Sequence, residues 1–413
     1  MIARSESWSE HRLEGRHAGA AVALGVALLL TSFGLLHVGP FAGYEIIDTP
    51  LYQRYGDAVL RGEVPYRDFS LEYPPGALPA FVVPSLAPAV HYRTAFEILM
   101  LLCGVAAVAL VVGTLFSAGA SPVRLCAAAA LAGIAPLALG SVVLTRFDLW
   151  PAALTIGVLA AFARDRDRLG FGVLAVAVAA KVYPAVLLPL ALVYTGRRRG
   201  GRETLIGLAV FGLVLGAIFL PFAILAPDGL GHSLERQTSR PLQIESLGSA
   251  LLLMAHQVGS YEPTVVSSFG SQNLVGSAPD ALATLQTALQ VLAVVCVWVL
   301  FAARRGWRDE LLTASAAAVV AFVAFGKVLS PQYLIWLIPL VPLAAGRRGI
   351  AAAALFLAAL VLTQLWFPSR YWHLVAFEAG PTWLVLARDA VLIGLLAVLA
   401  AAIPQERARS RSA

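Results

Sequence analysis

The chain has 413 residues, of which 59% are hydrophobic and 13% charged, with a formal net charge of +6. A soluble domain is charged at roughly a quarter of its positions, so this composition excludes a soluble enzyme, a disordered chain and a coiled coil and leaves a polytopic membrane protein. The three cysteines, Cys103, Cys126 and Cys296, all lie in apolar runs and offer neither a disulfide framework nor zinc-ligand spacing.

A bilayer core of roughly 30 Å is crossed by about 20 apolar residues in a helix. In chain order, runs at about 18–38, 92–116, 124–144, 147–163, 204–225, 284–303, 349–367 and 382–403 are predicted to be single spans. Two further runs, 168–194 and 311–345, are each interrupted by a lysine and a proline: Lys181-Val-Tyr-Pro184 and Lys327-Val-Leu-Ser-Pro331. Proline ends or kinks a helix and pushes the preceding residue out of the α region. Each of these runs is therefore predicted to be two short helices meeting at the Lys/Pro motif. The expected fold is all-α, a polytopic transmembrane helical bundle of about 12 spans, some short and broken, with external amphipathic helices.

Basic loops mark the cytoplasmic side. With the N-terminus in the cytoplasm, 19 of the 30 basic residues fall on cytoplasmic segments, among them Arg164, Arg166 and Arg168, Arg197–Arg199, Arg304 and Arg305, and Arg407, Arg409 and Arg411. A single span over 168–194 would place Arg197–Arg199 outside, which favours the broken reading. The prediction is a multi-pass plasma-membrane protein with a cytoplasmic tail over 1–17, a transmembrane domain over 18–403 and a basic cytoplasmic tail over 404–413. The first apolar stretch is too long for a typical signal-peptide core and has no clean cleavage site, so it is expected to remain as a span. The positive charge reads as a topology signal, and no nucleic-acid partner is expected.

The external segments hold the chemistry. The first external loop, about 39–91, contains a helix start at Thr49-Pro50, with Thr49 as N-cap, and a stop at Gly62. Leu51, Tyr55 and Val59 are predicted to form its apolar face, on the membrane surface. Arg54, Asp57 and Arg61 fall on the other face, an ion-pair row that accounts for Asp57. Asp48 sits just before this helix. It serves either as a helix-terminus carboxylate or as a functional group, because no cation in its own segment needs it. Glu72 precedes Tyr73-Pro-Pro-Gly76, a rigid turn. A second long loop, about 226–283, is rich in Ser, Gln and Gly. Loops of this length are functional or disordered, and their aromatic and apolar content argues against disorder.

Thr145-Arg146-Phe147-Asp148 joins two apolar runs too tightly to be a free loop, so Arg146 and Asp148 must be paired or face a wet cavity. Lys181 and Lys327 are the only lysines among the 30 basic residues. A lysine at a helix end also snorkels or complements the helix dipole, but Arg would do the same. A compact ammonium suits a phosphate as a point charge. The polar candidates Asp48, Glu72, Tyr73, Arg146, Asp148, Lys181, Tyr183, Lys327, Gln332 and Tyr333 are all predicted at one leaflet. An anionic head group held there fits a sugar on a lipid phosphate: a carboxylate deprotonates an acceptor hydroxyl, the hydroxyl attacks the anomeric carbon, and the phosphate leaves against the cations. Phosphate leaves without a general acid, so one carboxylate suffices where a glycoside hydrolase needs two. No His/carboxylate cluster for a metal is evident and no cofactor is expected. His232, His256 and His373 read as surface histidines.

The pattern Asp48-x3-Tyr52, Gly62-x-x-Pro65-Tyr66 and Tyr73-Pro-Pro, with Lys181-x-Tyr-Pro184 and Lys327-Val-Leu-Ser-Pro-Gln-Tyr333, resembles the GT-C superfamily of membrane glycosyltransferases. It is most similar to family 87, which includes polyprenol-phosphate-mannose-dependent mannosyltransferases. The resemblance spans roughly 40–370. It implies an inverting hexosyltransferase that moves a sugar, mannose by the resemblance, from a polyprenyl-phosphate donor to a lipid or glycan acceptor at the outer face of the plasma membrane. By the same resemblance the catalytic aspartate of the first external loop maps to Asp48. Lys181, Lys327 and Arg146 are expected on the donor phosphate, and Asp148, Glu72, Tyr73, Tyr183, Gln332 and Tyr333 on the substrates. The alternatives are a transporter or flippase of a lipid-linked or anionic substrate, whose broken helices would run in opposite orientations, and a non-catalytic scaffold or binder of envelope intermediates.

Overall fold

The computed structural model of the chain describes residues 2–38, 46–87, 90–304 and 308–403, with side chains from residue 15 onward, Thr238 apart. Gly43, Tyr44 and Glu45 of the first loop, Arg305 and the basic tail 404–413 lie outside the described residues, as do the side chains of Arg4 and Arg12.

The chain enters through α1 (Ile2–Leu36), which continues the predicted N-terminal tail as helix. The short α2 (Thr49–Leu60) follows, with Pro50 in its first turn and Gly62 at φ +85° just past its end, as Pro-start and Gly-stop chemistry predicts. The N-cap is Asp48, one residue earlier than expected, and its side chain makes no cap bond. The buried face is also turned from the predicted one, to Tyr52, Tyr55, Gly56 and Ala58. Gly56 explains the rotation. A Cβ there would stand 2.3 Å from the Phe81 carbonyl oxygen, so the helix lies directly on the backbone of α3 (Leu78–Ser85). The predicted Arg54–Asp57–Arg61 row does not form: Asp57 accepts from Ser85 Oγ at 2.8 Å, and Arg61 pairs with Glu63.

Next come α4 (Tyr92–Ser117), α5 (Pro122–Leu139), the single turn α6 (Val142–Thr145) and α7 (Leu149–Ala163). The first Lys/Pro run folds as predicted. α8 (Asp167–Ala180) stops at Lys181, whose backbone is extended, a 3₁₀ turn covers Tyr183–Leu187, and α9 (Leu188–Arg199) returns. Asp165 and Asp167 take Arg198 and Arg199, so the start of α8 and the end of α9 share one face.

α10 (Gly201–Leu225) and α11 (Pro227–Thr238) lead into the second long loop. That loop holds α12 (Leu247–Gln257) and a three-stranded antiparallel sheet, which the sequence did not announce. Its strands are β1 (Leu242–Gln243), β2 (Val265–Ser268) and β3 (Ser271–Leu274), in the order β1-β3-β2. Phe269 and Gly270 both have positive φ (53° and 68°), the geometry of a two-residue hairpin turn whose twist matches its strands.

After α13 (Ser277–Ala302), α14 (Arg308–Ala324) ends before Lys327. The second half of this Lys/Pro run is a pair of 3₁₀ segments, Pro331–Leu337 and Val341–Leu343, instead of the predicted short α-helix. Pro331, Pro339 and Pro342 recur too often for i→i−4 bonding to continue. The run still returns to the face where α14 begins. Arg124 donates to the Leu343 carbonyl at 2.7 Å, and Arg308 at the head of α14 bonds the Ser117 carbonyl. α15 (Gly346–Gln364), α16 (Tyr371–Val375) and α17 (Ala379–Ala402) complete an all-helical bundle. Among the described residues seven helices are long and apolar enough to cross a membrane: α1 from Gly15, α4, α5, α10, α13, α15 and α17. The shorter apolar elements fill the interior between them. α14 is buried along nearly its whole length, and no other packing suits a helix apolar on all sides.

Candidate active site

The site lies at the loop end of the bundle, opposite the arginine-rich face, where α2, the α6–α7 connection and the two Lys/Pro breaks meet. Asp148 is its buried centre. One of its oxygens, Oδ1, accepts both Lys181 Nζ at 2.5 Å and Trp336 Nε1 at 2.6 Å. The other, Oδ2, is buried without a hydrogen-bond partner among the described residues. The break at Lys181 is what brings the ammonium here: α8 ends at Ala180, whose carbonyl the Pro184 ring would meet in a continued helix, and the extended Lys181 sends its side chain to Asp148. Four rings surround it, with centroids 4.7 Å (Phe147), 5.1 Å (Trp336), 5.6 Å (Tyr333) and 6.0 Å (Tyr73) from Nζ. An ammonium in such a cage is held by ring faces as well as by its carboxylate.

Trp336 sits between two tyrosines, with centroids at 4.1 Å from Tyr183 and 4.2 Å from Tyr333. The hydroxyl of Tyr183 is satisfied by Thr155 Oγ1 at 2.8 Å. Tyr183 is thus fully buried and acts through Trp336, whereas Tyr333 faces the lysine directly. Gln332 keeps a buried Oε1 without a hydrogen-bond partner among the described residues.

The carboxylate that Lys181 takes is Asp148, not Asp48. Asp48 pairs with Arg146, and the Tyr52 hydroxyl donates to its Oδ2 at 3.4 Å. Arg146 also donates to the Ile46 carbonyl at 3.3 Å, tying the residues before α2 to the α6–α7 connection. Arg146 and Asp148, separated only by Phe147, therefore join two ion pairs, Asp48–Arg146 and Asp148–Lys181. Tyr52 packs on Phe81 and Phe147 (centroids 4.6 and 5.7 Å), which fixes the wall between the pairs.

Lys327 is held by its backbone: the amide of Gln243 on β1 donates to its carbonyl at 3.0 Å. The small sheet thus anchors the second break. Arg240, just before β1, lies within electrostatic reach of both Lys181 and Lys327. It donates to the Phe269 carbonyl and Ser271 Oγ, and its Nε has no hydrogen-bond partner among the described residues. Glu72 lines a small cleft with Arg236 and Arg240, and its carbonyl accepts from Gln237.

Sequence reasoning missed five more residues. Glu245 is buried beside Arg146, Arg240 and Arg388, and burial pushes its carboxyl up to about 8. Arg388 donates to the Glu245 carbonyl at 2.6 Å and pairs with Asp389 at 2.6 Å, both side chains fully buried within α17. The signal for these two was present: an Arg-Asp pair inside an apolar span is as costly as Arg146 and Asp148. Trp336 and Arg240 carried no comparable local signal. Of the three histidines, His373 pairs with Glu378, His256 meets the Tyr261 carbonyl, and His232 is exposed. Among the described residues no group of three His, Cys, Asp or Glu side chains converges on one point.

The arrangement sets two partly exposed carboxylates, Asp48 and Glu72, beside cations and aromatic walls, parts that a glycosyl transfer can use. Comparison with known families agrees. The model of Glycosyltransferase family 87 matches residues 71–331, more than half of the chain, and that of Mannosyltransferase (PIG-M) matches residues 271–397. No curated protein matches the chain. The first match contains both Lys/Pro breaks and the Arg146–Asp148 connection, and the second contains β3, Lys327 and the buried Arg388–Asp389 pair. The chain belongs to glycosyltransferase family 87, and it is a multi-pass membrane glycosyltransferase.

Proposed function

We propose that the protein is an inverting transferase that moves a hexose, mannose by family, from a polyprenyl-phosphate donor to a hydroxyl of a lipid or glycan acceptor at the outer face of the plasma membrane, with the arginine-rich face in the cytoplasm. Asp48 takes the proton of the acceptor hydroxyl. That oxygen forms the new bond to the anomeric carbon while the bond from carbon to the phosphate oxygen breaks, and the phosphate leaves with the electron pair. Lys181 and Lys327, joined by Arg240, meet the charge that grows on the phosphate. Arg146 orients Asp48 and adds its own charge to that field. Tyr73 and Tyr333 wall the sugar side, with Glu72, Gln332 and Asp148 supplying polar contacts and Tyr183 supporting Trp336.

One observation carries the assignment of the base. The Asp48 side chain retains 28% exposure, against 1% for Asp148, and Glu245 is buried with its carboxyl pushed up to about 8. Asp48 alone of the three is an accessible carboxylate. The orientation of the breaks supports transfer over transport: both Lys/Pro units open away from the arginine-rich face, so they are parallel where a transporter of inverted repeats would have them opposed.

Asp48→Asn tests the reading, with sugar transfer from a polyprenyl-phosphate donor as the readout. Transfer is expected to fall about 10²–10⁴-fold, the range for losing a general base, and the thermal midpoint to fall as well, because the buried Arg146 loses its carboxylate partner. Full activity in the variant would remove Asp48 as the base.

A further inference from the structure

The segment Gln243-Ile-Glu-Ser246 carries a carboxyl that the mechanism above does not use. Glu245 is 1% exposed and sits where several distant parts of the chain meet. The Gln243 amide donates to the Lys327 carbonyl at 3.0 Å, the Gln243 side chain donates to Glu245 Oε2, and Arg388 of α17 donates to the Glu245 carbonyl at 2.6 Å. The charged and titratable groups that face the carboxyl are Arg146 from the α6–α7 connection, Arg240 ahead of β1, Arg388 and Asp389 from α17, Tyr333 after the second break and Tyr371 of α16. From α13 comes Gln286, an uncharged group already bonded to the Gly248 amide at 2.9 Å and the Gly326 carbonyl at 2.7 Å.

Three arginines surround this carboxyl, yet among the described residues none donates to it. Arg146 is committed to Asp48 and the Ile46 carbonyl, Arg240 to the Phe269 carbonyl and Ser271 Oγ, and Arg388 to Asp389 and the Glu245 backbone. Glu245 Oε1 has no hydrogen-bond partner among the described residues, and neither has the Nε of Arg146 or of Arg240. An ionised carboxylate sealed beside guanidiniums would close on one of them, because an unpaired buried charge is costly and a charge-assisted bond relieves it. A neutral acid has no such need. Burial accordingly pushes the carboxyl up to about 8, against its ordinary 4.5.

We propose that Glu245 is a positioning residue for sugar transfer that acts through two arginines: as the acid it leaves Arg146 to Asp48 and Arg240 to the donor phosphate, and as the carboxylate it draws a guanidinium to itself. The proposal rests on the transferase reading above and adds a group that touches neither substrate. Below about pH 8 both arginines keep their charge for the site. Above it the net charge facing Asp48 and the phosphate drops by one, and transfer falls because those fixed charges meet the charge that grows in the transition state.

The test is the ratio of transfer at about pH 9 to transfer at about pH 7, measured on the full chain in lipid nanodiscs at saturating polyprenyl-phosphate mannose. For the parent the ratio is expected at about one tenth, the acid fraction one pH unit above its midpoint. In Glu245→Gln, whose amide stays neutral, it is expected near one. A fall that persists in Glu245→Gln belongs to other groups, the lysines among them, and overturns the inference, as does a parent ratio near one. Infrared difference spectra of the parent do not depend on a variant folding. They are expected to lose the carbonyl band of a protonated carboxyl between those two pH values, a band that shifts when glutamate is isotope-labelled, and its absence overturns the inference as well. If transfer proceeds with the same ratio in parent and variant, the role of Glu245 fails and the transferase reading stands. If no polyprenyl-phosphate sugar is transferred at any pH, the transferase reading fails and takes this role with it.

Discussion

Two ends of this molecule use the same residue types for different purposes. At the arginine-rich face Asp165 gathers Arg198 at 2.7 Å, Arg199 at 3.8 Å and Arg308, all with side chains between 30% and 41% exposed. At the loop end Asp148 gathers Lys181 and Trp336 with its side chain sealed and one oxygen left without a hydrogen bond. Water can replace any partner of Asp165, so that cluster ties connections together and contributes little to stability. Nothing replaces Lys181. A buried charge with an unmet acceptor is expensive, and it lies beside the Asp48–Arg146 pair that we propose takes part in transfer.

The comparison breaks most clearly at Lys181. Lys181→Gln leaves Asp148 buried and uncompensated, and is expected to destabilise the fold by about 3–5 kcal/mol, read as a lowered thermal midpoint in detergent. Adding Asp148→Asn is expected to recover most of that loss without recovering sugar transfer. If the double variant transfers normally, the pair is structural only.

Gly76→Ala tests the packing that holds the cage. A Cβ there would lie 2.5 Å from the Ala179 carbonyl carbon and 2.7 Å from its oxygen, beside the end of α8. The Gly76 carbonyl also accepts from Trp150 Nε1 at 3.0 Å. A loss of about 1–3 kcal/mol is expected, with donor KM raised, because the turn carrying Tyr73 must shift.

Glu245→Gln sharpens the comparison through pH. The folded carboxyl titrates at about 8, above its ordinary 4.5. The folded chain therefore keeps a proton that the unfolded chain releases above 4.5. The stability that proton represents is fully present below 4.5, declines as pH rises, and is gone above about 8. Thermal midpoints of the parent are expected to fall across that window with a slope of at most about 1.4 kcal/mol per pH unit, and Glu245→Gln to flatten it. A parent curve already flat there would show that Glu245 is not buried neutral.

The smallest effect belongs to the other face. Asp165→Asn is expected to cost less than about 1 kcal/mol, a cost that shrinks further in high salt, and to leave sugar transfer unchanged. A loss comparable to that of Lys181→Gln would erase the distinction between the two ends.

Much of this was legible beforehand, for reasons particular residues make plain. The Lys/Pro breaks were readable because proline acts on its own backbone whatever surrounds it, and the first unit folds as that rule requires. Arg146 and Asp148 had to be paired or face a wet cavity, and both are paired. The rotation of α2 was not legible, because it depends on Gly56 touching a carbonyl 25 residues away in sequence. Nor was the sheet that anchors the Lys327 backbone, whose strands run only two to four residues in a polar loop.

Composition, the spacing of apolar runs and the two lone lysines determined by themselves that this is a helical membrane protein with cations at breaks in its helices, because those are local properties of water, lipid and backbone. Which carboxylate meets which cation was decided only in three dimensions. Asp48 went to Arg146 and Asp148 to Lys181, since partner choice depends on where distant segments pack and on how far each oxygen lies from water.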